Sequence, residues 1–458
     1  MSILLPATPS GARPVWAIGA DAVDALPIEV ARWAKASGYK AGAGEVLLVP
    51  GADGAVAGAV LGLGGKAGDP RRKPLLAGAL AGLPEGDWQL ADGHGLDDNL
   101  ATLAFLLGGY RFDRYRSKPG TTVSPQLVAG TADRAEAEAL RDGVFLTRDL
   151  INTPANDLLP DAMEAAVRAL GAAFGAEVSS IVGDDLLQQN FPMIHAVGRA
   201  SPVAPRLIDL TWGRADAPTV TLVGKGVSFD TGGLDIKPAS GMLLMKKDMG
   251  GAANVLGLAR IVMALKLDIR LRVLIPAVEN AIAGNAFRPS DILKSRKGKT
   301  VEIGNTDAEG RLILADALAL ADESAPQLLI DMATLTGAAR VAMGPDLPPF
   351  FTDDEALAAE LATAAQAVAD PIWRLPLWQP YAKNLASKIA DMNNVTPDGF
   401  AGAITAALFL QDFVEKAGAW AHFDVYGWRP QASPIGPVGG EAQGIRAVYA
   451  VLKARYGS

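Results

Sequence analysis

From residue 206 onward, continuous apolar runs alternate with amphipathic segments, and this alternation constrains the fold more than any other feature. Uninterrupted apolar runs are typical of strands that are covered on both faces, as in a mostly parallel sheet flanked by helices. The predicted strands are residues 206–211, 219–223, 270–278, 300–303, 328–333 and 421–426. The predicted helices between and after them are residues 250–267, 311–323, 354–370, 401–417 and 440–456.

The N-terminal third shows a weaker form of the same alternation. Short apolar runs at 44–50, 55–63 and 88–90 predict strands, and residues 21–35 and 97–108 predict helices. The sequence therefore predicts a second, smaller α/β domain before the main one.

A single amphipathic segment separates these two parts of the chain. In residues 132–153, Leu140, Val144 and Leu150 recur at helical spacing, and Pro154 ends the segment because proline cannot continue a helix. We predict an N-terminal α/β domain at 1–131, a linking helix at 132–153 and a catalytic domain at 154–458 whose mostly parallel central sheet is covered by helices.

Composition narrows the possible chemistry. The chain has no cysteine and only three histidines, which excludes thiol nucleophiles, iron–sulfur clusters and histidine-rich zinc sites. Its formal charge of −8 argues against nucleic-acid partners. No apolar stretch approaches the roughly 20 residues that span a membrane, and the N-terminus lacks the pattern of a secretory signal. We therefore expect a cytoplasmic protein with no membrane partner.

The densest polar motif is NTDAEGR at residues 305–311, between a short predicted strand and an alanine-rich helix. Asp307 and Glu309 stand two apart, so in extended backbone they would point to the same side. Two converging carboxylates repel one another unless a cation lies between them, and a divalent metal ion is the simplest such cation. The alternative is a solvated turn that caps the following helix.

A second motif follows the predicted strand 219–223. The glycine-rich segment after it carries Lys225 and Asp230, the next loop carries Lys237, and Asp248 lies just before a helix. A phosphate-binding loop is excluded because Gly226 follows the lysine where that motif requires Ser or Thr.

Together the two motifs supply four carboxylates with a formal charge of −4: Asp230, Asp248, Asp307 and Glu309. Two divalent cations would neutralise this charge and leave nearby cations to meet negative charge that develops on a substrate. The residues therefore indicate a two-metal hydrolase.

These motifs closely resemble the leucyl aminopeptidase (cytosol aminopeptidase) family of dinuclear metallo-exopeptidases. The similarity covers residue 149 to the C-terminus, and the matching segments, in order, are TLVGKGVSFDTGGLDIKP, MKKDMGGAA, NTDAEGRLILADAL and MATLTGA. The resemblance implies an aminopeptidase that removes N-terminal amino acids from peptides by two-metal activation of water.

The resemblance also implies a role for each metal ligand. Asp230 and Glu309 would bridge the two metals, Asp307 would complete one site, and Lys225 and Asp248 would complete the other. A lysine ligand must be neutral, so its pKa would have to fall far below its usual value of about 10.4.

Two further residues would carry the catalysis. Lys237 would bind the scissile carbonyl oxygen and the gem-diolate that forms from it, and Arg311 would hold a bicarbonate ion that acts as the general base. The ions would be Mn²⁺ or Zn²⁺, and the free α-amine of the substrate would bind one of them.

Four residues would contact the rest of the substrate. Thr334 and Leu335 would offer backbone groups, and Met245 and Gly337 would shape the pocket for the first side chain. An apolar pocket suits leucine-like residues, with broad specificity because one methylene changes binding by only about 1–3 kcal/mol.

The sequence departs from the commonest family pattern at Leu243 and at Lys246–Lys247, beside this pocket. These departures put the substrate preference in doubt, but not the metal site.

The resemblance further implies a homohexamer with its catalytic domains facing inward. Two alternatives stay open at this point. One is a different two-metal hydrolase, such as a phosphoesterase, and the other is a non-catalytic metal-binding or DNA-binding protein on the same fold.

Overall fold

The computed structural model describes residues 3–5, 9–65, 69–118 and 124–457. The chain divides into two compact units. The first consists of residues 1–145, 367–369 and 430–438, and the second of residues 146–366, 370–429 and 439–458. The predicted domain boundaries after residues 131 and 153 stay a prediction.

The first unit is built on a six-stranded sheet. Its strands are β1 Ile3–Leu5, β2 Arg13–Ile18, β3 Val46–Pro50, β4 Val56–Gly62, β5 Gly86–Leu90 and β6 Pro125–Val128. Its helices are α1 Ile28–Ala36, α2 Asp98–Gly108 and the first part of α3 Arg134–Asn152, together with 3₁₀ helices at Val23–Ala25 and Pro70–Gly82. The strands follow the order β1-β6-β5-β2-β4-β3 and are parallel except for the β3–β4 pair.

The second unit carries the larger set of elements. Its strands are β7 Glu177–Val182, β8 Arg206–Trp212, β9 Thr219–Gly224, β10 Gly226–Asp230, β11 Arg270–Asn280, β12 Ile292–Lys294, β13 Thr300–Glu302, β14 Leu328–Ala333, β15 Pro349–Phe351, β16 Trp373–Arg374, β17 Met392–Asn393, β18 Trp420–Asp424, β19 Trp428–Arg429 and β20 Gly439–Gly440. Its helices are α4 Pro160–Phe174, α5 Asp185–Gln188, α6 Pro192–Gly198, α7 Ala239–Met242, α8 Gly250–Ala264, α9 Gly310–Glu323, α10 Gly337–Met343, α11 Glu355–Ala367, α12 Gly402–Gln411 and α13 Ile445–Tyr456. Three 3₁₀ helices lie at Ala155–Asp157, Met245–Lys247 and Gln379–Leu385.

A nine-stranded sheet forms the centre of this unit, in the order β16-β15-β18-β14-β9-β11-β8-β7 with β10 beside β11. The central strands β18, β14, β9 and β11 are mutually parallel, and antiparallel pairs occur toward the edges, at β8 and β15. Every residue of β14 and β18 is buried, as expected for strands covered on both faces. The predicted α/β fold, with two domains and a mostly parallel central sheet, is confirmed.

Some predicted elements differ from the observed ones. The helix predicted at 401–417 ends at Gln411, and the helix predicted at 440–456 begins only at Ile445 because Gly444 adopts a left-handed conformation with φ +75°. The segment interpreted as a glycine-rich loop after β9 contains a strand, β10. It forms because β11 is long enough to pair first with β9 and then with β10.

The carboxyl ends of the parallel strands meet at one edge of the sheet, where polar groups accumulate. Lys225 follows β9, Asp230 ends β10, Asn280 ends β11, Thr334 follows β14 and Asp424 ends β18. In open α/β sheets this edge is the usual place for a ligand site. Among the described residues, no helix is long and apolar enough to cross a membrane.

Candidate metal centre

Two glycines allow close contacts between the segments that carry the polar residues. A Cβ atom at Gly310, the first residue of α9, would lie 2.7 Å from Nζ of Lys225. A Cβ atom at Gly251, in the first turn of α8, would lie 2.0 Å from the main-chain oxygen of Met332. Glycine therefore lets α8 begin directly against the end of β14, and at the start of α9 it leaves room for the side chain of Lys225.

Four carboxylates converge at this edge, and we call them the carboxylate cluster: Asp230, Asp248, Asp307 and Glu309. One carboxylate oxygen from each of Asp230, Asp307 and Glu309 lies within 4.8 Å of the other two. Asp230 is 2% exposed and Glu309 is 1% exposed. Asp307 and Glu309 converge as predicted, but through a turn rather than extended backbone, since Glu309 has helical dihedral angles.

Two lysines lie among these carboxylates. Nζ of Lys225 lies 2.8 Å from Oδ2 of Asp248 and 3.0 Å from Oε1 of Glu309. Nζ of Lys237 lies 2.9 Å from Oδ2 of Asp230 and also forms an ion pair with Asp307. All seven polar residues that the sequence singles out for the metal site and catalysis, Arg311 included, thus belong to one contiguous region of the second unit.

Burial and mutual repulsion disfavour the ionised form of three carboxylates. Loss of solvation, together with the neighbouring Asp230, raises the pKa of Asp307 to about 6 and that of Glu309 to about 8. Burial also raises the pKa of Asp248. Burial alone would lower the pKa of Lys225, but the carboxylates of Asp248 and Glu309 outweigh it and raise the pKa. The chain thus concentrates negative charge that its own lysines only partly balance.

Several oxygens of the carboxylate cluster lack a hydrogen-bond donor. Within the described part of the chain, Oδ2 of Asp248, Oδ1 of Asp307 and Oε1 of Glu309 are buried and receive no hydrogen bond of acceptable geometry, although lysines approach them. Buried acceptors are normally satisfied, so such a group calls for a partner. Hard divalent cations prefer clustered carboxylate oxygens, and this donor set therefore fits a metal site.

Arg311 lies in the first turn of α9 and is buried, with 8% of its surface exposed. Its Nη1 donates a hydrogen bond of 2.5 Å to the main-chain oxygen of Asn394. Burial lowers the pKa of its guanidinium to about 10, against the opposing effect of Glu309. The guanidinium therefore remains a fixed cation at neutral pH, held beside the carboxylate cluster by its backbone contact.

A cavity of about 490 Å³ opens onto the carboxylate cluster. The four predicted substrate-contacting residues, Met245, Thr334, Leu335 and Gly337, all line it. Oγ1 of Thr334 also donates a 2.9 Å hydrogen bond to Oδ1 of Asp248. The structure thus brings the four predicted substrate residues together around one cavity with Lys225, Asp230, Asp248 and Asp307 of the predicted metal site.

Sequence reasoning missed two residues that position this site. Nδ2 of Asn280 donates to Oδ1 of Asp230 at 2.9 Å and to the main-chain oxygen of Thr306 at 3.1 Å. Asp424 accepts hydrogen bonds from the backbone N–H groups of Leu335 and Thr336, at 3.0 and 3.1 Å. The signal that could have found them is a lone polar residue at the end of an apolar run, because both residues end strands of the parallel set.

His422 lies inside β18 and contacts the neighbouring strand β14. Its Nδ1 lies 2.6 Å from Oδ1 of Asp331, whose Oδ2 accepts a 2.8 Å hydrogen bond from Nε1 of Trp420. We call these three residues the Asp331 cluster.

Two family models match the chain. Residues 145–449 match the catalytic domain of the cytosol aminopeptidase family, and residues 15–127 match an M17 aminopeptidase N-terminal domain. A protein of Roseiflexus castenholzii named probable cytosol aminopeptidase is 44% identical over 367 residues, which cover 76% of this chain and 74% of the relative.

Solved structures of similar proteins have the same fold as this chain. A cytosol aminopeptidase from Coxiella burnetii has 46% sequence identity and a TM-score of 0.92, and the match covers 99% of both chains. The bottromycin maturation enzyme BotP in complex with Mn has 34% identity and a TM-score of 0.88, and the match covers 97% of this chain and 99% of that chain.

Proposed function

The chain belongs to the cytosol aminopeptidase family, and from this premise we propose that it is an aminopeptidase whose carboxylate cluster holds two divalent metal ions, Mn²⁺ or Zn²⁺. The family is one of metal-dependent exopeptidases, so the reaction is hydrolysis of the first peptide bond. The phosphoesterase and the non-catalytic alternatives are not favoured.

The observation that carries the metal proposal is the set of three buried oxygens without a hydrogen-bond donor. Four carboxylates contribute a formal charge of −4, which two divalent ions balance. The Mn present in the BotP complex supports manganese as one of the ions.

We assign the ligands as the family resemblance implies. Asp230 and Glu309 would be shared by the two ions, and Asp307 would complete one site with its carboxylate and its main-chain carbonyl. Lys225 and Asp248 complete the other site. The short distances from Nζ of Lys225 to Asp248 and Glu309 support this grouping, because a shared partner must lie near all three side chains.

When bound, such ions polarise the scissile carbonyl, lower the pKa of the attacking water and bind the free α-amine of the peptide. The protein's own contribution begins with Lys237, which is only partly buried and faces the cavity. Its ammonium group can donate to the carbonyl oxygen as negative charge develops there. Arg311 would hold a bicarbonate ion, which would supply a general base for the attacking water.

The rest of the substrate would bind in the cavity. Main-chain groups of Thr334 and Leu335 orient the peptide, and Met245 and Gly337 border the pocket for the first side chain. We propose that leucine-like residues are accepted and that specificity is broad, since apolar contacts discriminate weakly between similar side chains.

Two further properties follow the family resemblance. We propose that the protein is a homohexamer and that it acts in the cytoplasm on peptides with a free N-terminus, with no role for nucleic acid. Sedimentation velocity of the purified protein tests the assembly, and a monomer or dimer at micromolar concentration would contradict it.

The proposed function is tested with leucine p-nitroanilide. The purified protein is stripped with a chelator, restored with Mn²⁺ or Zn²⁺, and assayed beside the N-acetylated substrate. We expect metal-dependent cleavage of the free-amine substrate alone. Equal cleavage of the acetylated substrate, or no cleavage by protein that has bound two ions, would refute the proposal.

A further inference from the structure

Lys247 places a buried cation in the cavity wall beside the carboxylate cluster. It ends the 3₁₀ helix Met245–Lys247, directly before Asp248, and only 6% of its surface is exposed. Its side chain lines the cavity, with Nζ 4.9 Å from the ring centroid of Tyr426. Within the described residues, this ammonium group has neither an ion pair nor a side-chain hydrogen bond.

Arg340 brings a second cation to the same place. It lies three residues after Gly337 on α10, on the same helix face, and it also lines the cavity. Its guanidinium lies 5.3 Å from the ring centroid of Tyr426, so one aromatic ring contacts both cations. No ion pair or side-chain hydrogen bond of Arg340 occurs in the described part of the chain.

The carboxylates nearest to Lys247 are occupied by other partners. Asp248 forms an ion pair with Lys225 and accepts a hydrogen bond from Thr334. Asp424 accepts from the backbone N–H groups of Leu335 and Thr336 and from Oγ1 of Thr336. Both carboxylates act on Lys247 through space, but neither forms an ion pair with it in the described part of the chain.

The proposed metal centre leaves this positive charge in place. With two divalent ions bound, the formal charge of the carboxylate cluster is balanced, and Lys247 and Arg340 add two positive charges to the wall of the same cavity. Two cations that face a substrate cavity and have no ion pair among the described residues attract an anionic group. This step rests on the proposed function, since it takes the cavity as the place where the first residue of a peptide binds.

We propose that Lys247 and Arg340 form a carboxylate-binding end of the pocket for the first side chain, so that peptides beginning with glutamate or aspartate are good substrates. The methylene groups of a glutamate side chain would contact Met245 and Val425, which line the same cavity, and its carboxylate would reach the two cations. Leucine-like residues use only the apolar part of this pocket.

Lys246 shows that adjacency in sequence does not confer this role. Its Nζ donates a 2.7 Å hydrogen bond to the main-chain oxygen of Asn152 and lies 5.6 Å from the ring centroid of Trp428. Its charge is therefore directed to a backbone acceptor, whereas Lys247 faces the cavity.

The test compares isosteric substrates. The metal-loaded enzyme is assayed with the α-p-nitroanilides of glutamate, glutamine, leucine and lysine under the same conditions. We expect kcat/KM for glutamate to exceed that for glutamine by about tenfold or more, the usual size of a charge-assisted hydrogen bond. Lysine should be the poorest substrate of the four, and added salt should reduce the glutamate-to-glutamine ratio.

Variants assign the preference to these two residues. In Lys247→Met, Arg340→Met and the double variant, the glutamate-to-glutamine ratio should fall toward one. The matched control is Lys388→Met, which removes one positive charge from an exposed lysine and should leave the ratio unchanged. Isothermal titration with glutamyl and glutaminyl dipeptides whose scissile amide is reduced to a methylene amine gives a readout independent of turnover.

The outcomes separate this inference from the proposed function. Cleavage of the leucine substrate with a glutamate-to-glutamine ratio of one or less would overturn the carboxylate pocket alone. A high ratio that persists in the double variant would assign the preference to other residues and would also overturn it. Cleavage of none of the four substrates by protein with two bound ions would instead contradict the proposed function.

Discussion

Two groups of buried charge in the second unit differ in one respect. The Asp331 cluster is buried within β14 and β18, and in the carboxylate cluster Asp230, Asp248 and Glu309 are buried close to the ends of the parallel strands. Both oxygens of Asp331 accept hydrogen bonds, one from Trp420 and the other from His422, whose Nε2 has no partner among the described residues. In the carboxylate cluster, three oxygens receive none from the described residues.

The difference shows that burial of a charge does not by itself identify a functional site. A satisfied buried carboxylate such as Asp331 joins two strands and specifies their packing. An unsatisfied cluster costs stability and is retained where a ligand completes it. The predictions below test whether this distinction holds.

The largest effect is expected from removal of a bridging carboxylate. Asp230→Ala or Glu309→Ala should abolish detectable activity and metal binding, because each carboxylate serves both ions. Metal content is measured by mass spectrometry after dialysis. In the metal-free protein, relief of repulsion among the carboxylates should offset part of the cost of the ion pair and hydrogen bonds that are lost, so the decrease in stability should be small.

Asp331→Asn is the matched control, because it alters a buried carboxylate outside the site. It should retain both metals. Retention of two ions by Asp230→Ala or Glu309→Ala would refute the assignment of these residues as bridging ligands.

In the Asp331 cluster, we expect the loss of the carboxylate to destabilise the protein strongly. Asp331→Ala removes the partner of two buried donors and should lower the free energy of unfolding by about 3–5 kcal/mol. Chemical denaturation of the metal-free protein measures this change in the free energy of unfolding. The loss should be smaller in Asp331→Asn, which keeps one acceptor, and an unchanged stability in Asp331→Ala would remove the distinction between the two clusters.

A variant of Lys237 should separate the effect on catalysis from the effect on metal binding. Lys237→Ala should lower kcat by roughly 10²–10³, the usual effect of losing one donor to a developing oxyanion, while both metals stay bound. Kinetics and metal content are measured on the same preparation. Loss of the metals in this variant would mean that Lys237 belongs to the ligand set.

A variant of Asn280 tests whether the hydrogen bond from this residue to Asp230 contributes to metal binding by the carboxylate cluster. Asn280→Leu removes the hydrogen bond to Oδ1 of Asp230 and should weaken metal affinity by about 10–100-fold, as is typical for the partner of a ligand. Titration calorimetry with Mn²⁺ measures this affinity. An affinity equal to that of wild type would show that the backbone N–H of Gly232, which also donates to Asp230, is sufficient.

The smallest effect is expected at Arg311. Arg311→Ala should lower kcat by less than about 10²-fold, the lower end for a lost general base, because bicarbonate from solution can partly substitute. Assays with and without added bicarbonate check this, and melting temperatures control for the lost contact with Asn394. A loss as large as that of a metal ligand would contradict the proposed role.

Sequence patterns predicted the central strands because those strands are buried on both faces and have uninterrupted apolar runs. Strand β7 was missed because its residues alternate between exposed and partly buried, and its sequence, EVSSIV, is short and half polar. The helix at 402–411 was extended too far because apolar residues continue beyond Gln411 into the next turn.

The polar residues of the candidate site could be predicted because they stand out in glycine-rich segments between apolar runs. Asp331 could not, since it is one polar residue inside an apolar strand. Asn280 and Asp424 carry only the weak signal of a polar residue at a strand end, and the partners of all three are remote in sequence. Asn280, for example, contacts Asp230, 50 residues away. Only the strand order brings such pairs together.

The two close approaches at Gly251 and Gly310 have a consequence for how the chain tolerates substitution. A methyl group at Gly251 would meet the main-chain oxygen of Met332 at 2.0 Å, which requires the strand end and the helix to move apart. A methyl group at Gly310 would meet the side chain of Lys225 at 2.7 Å and displace it. In a library that varies every position, these two uncharged glycines should be as intolerant of replacement as the acidic residues beside them. A map of tolerated substitutions would therefore mark the site at these glycines as well as at its acidic residues, although glycine carries no functional group.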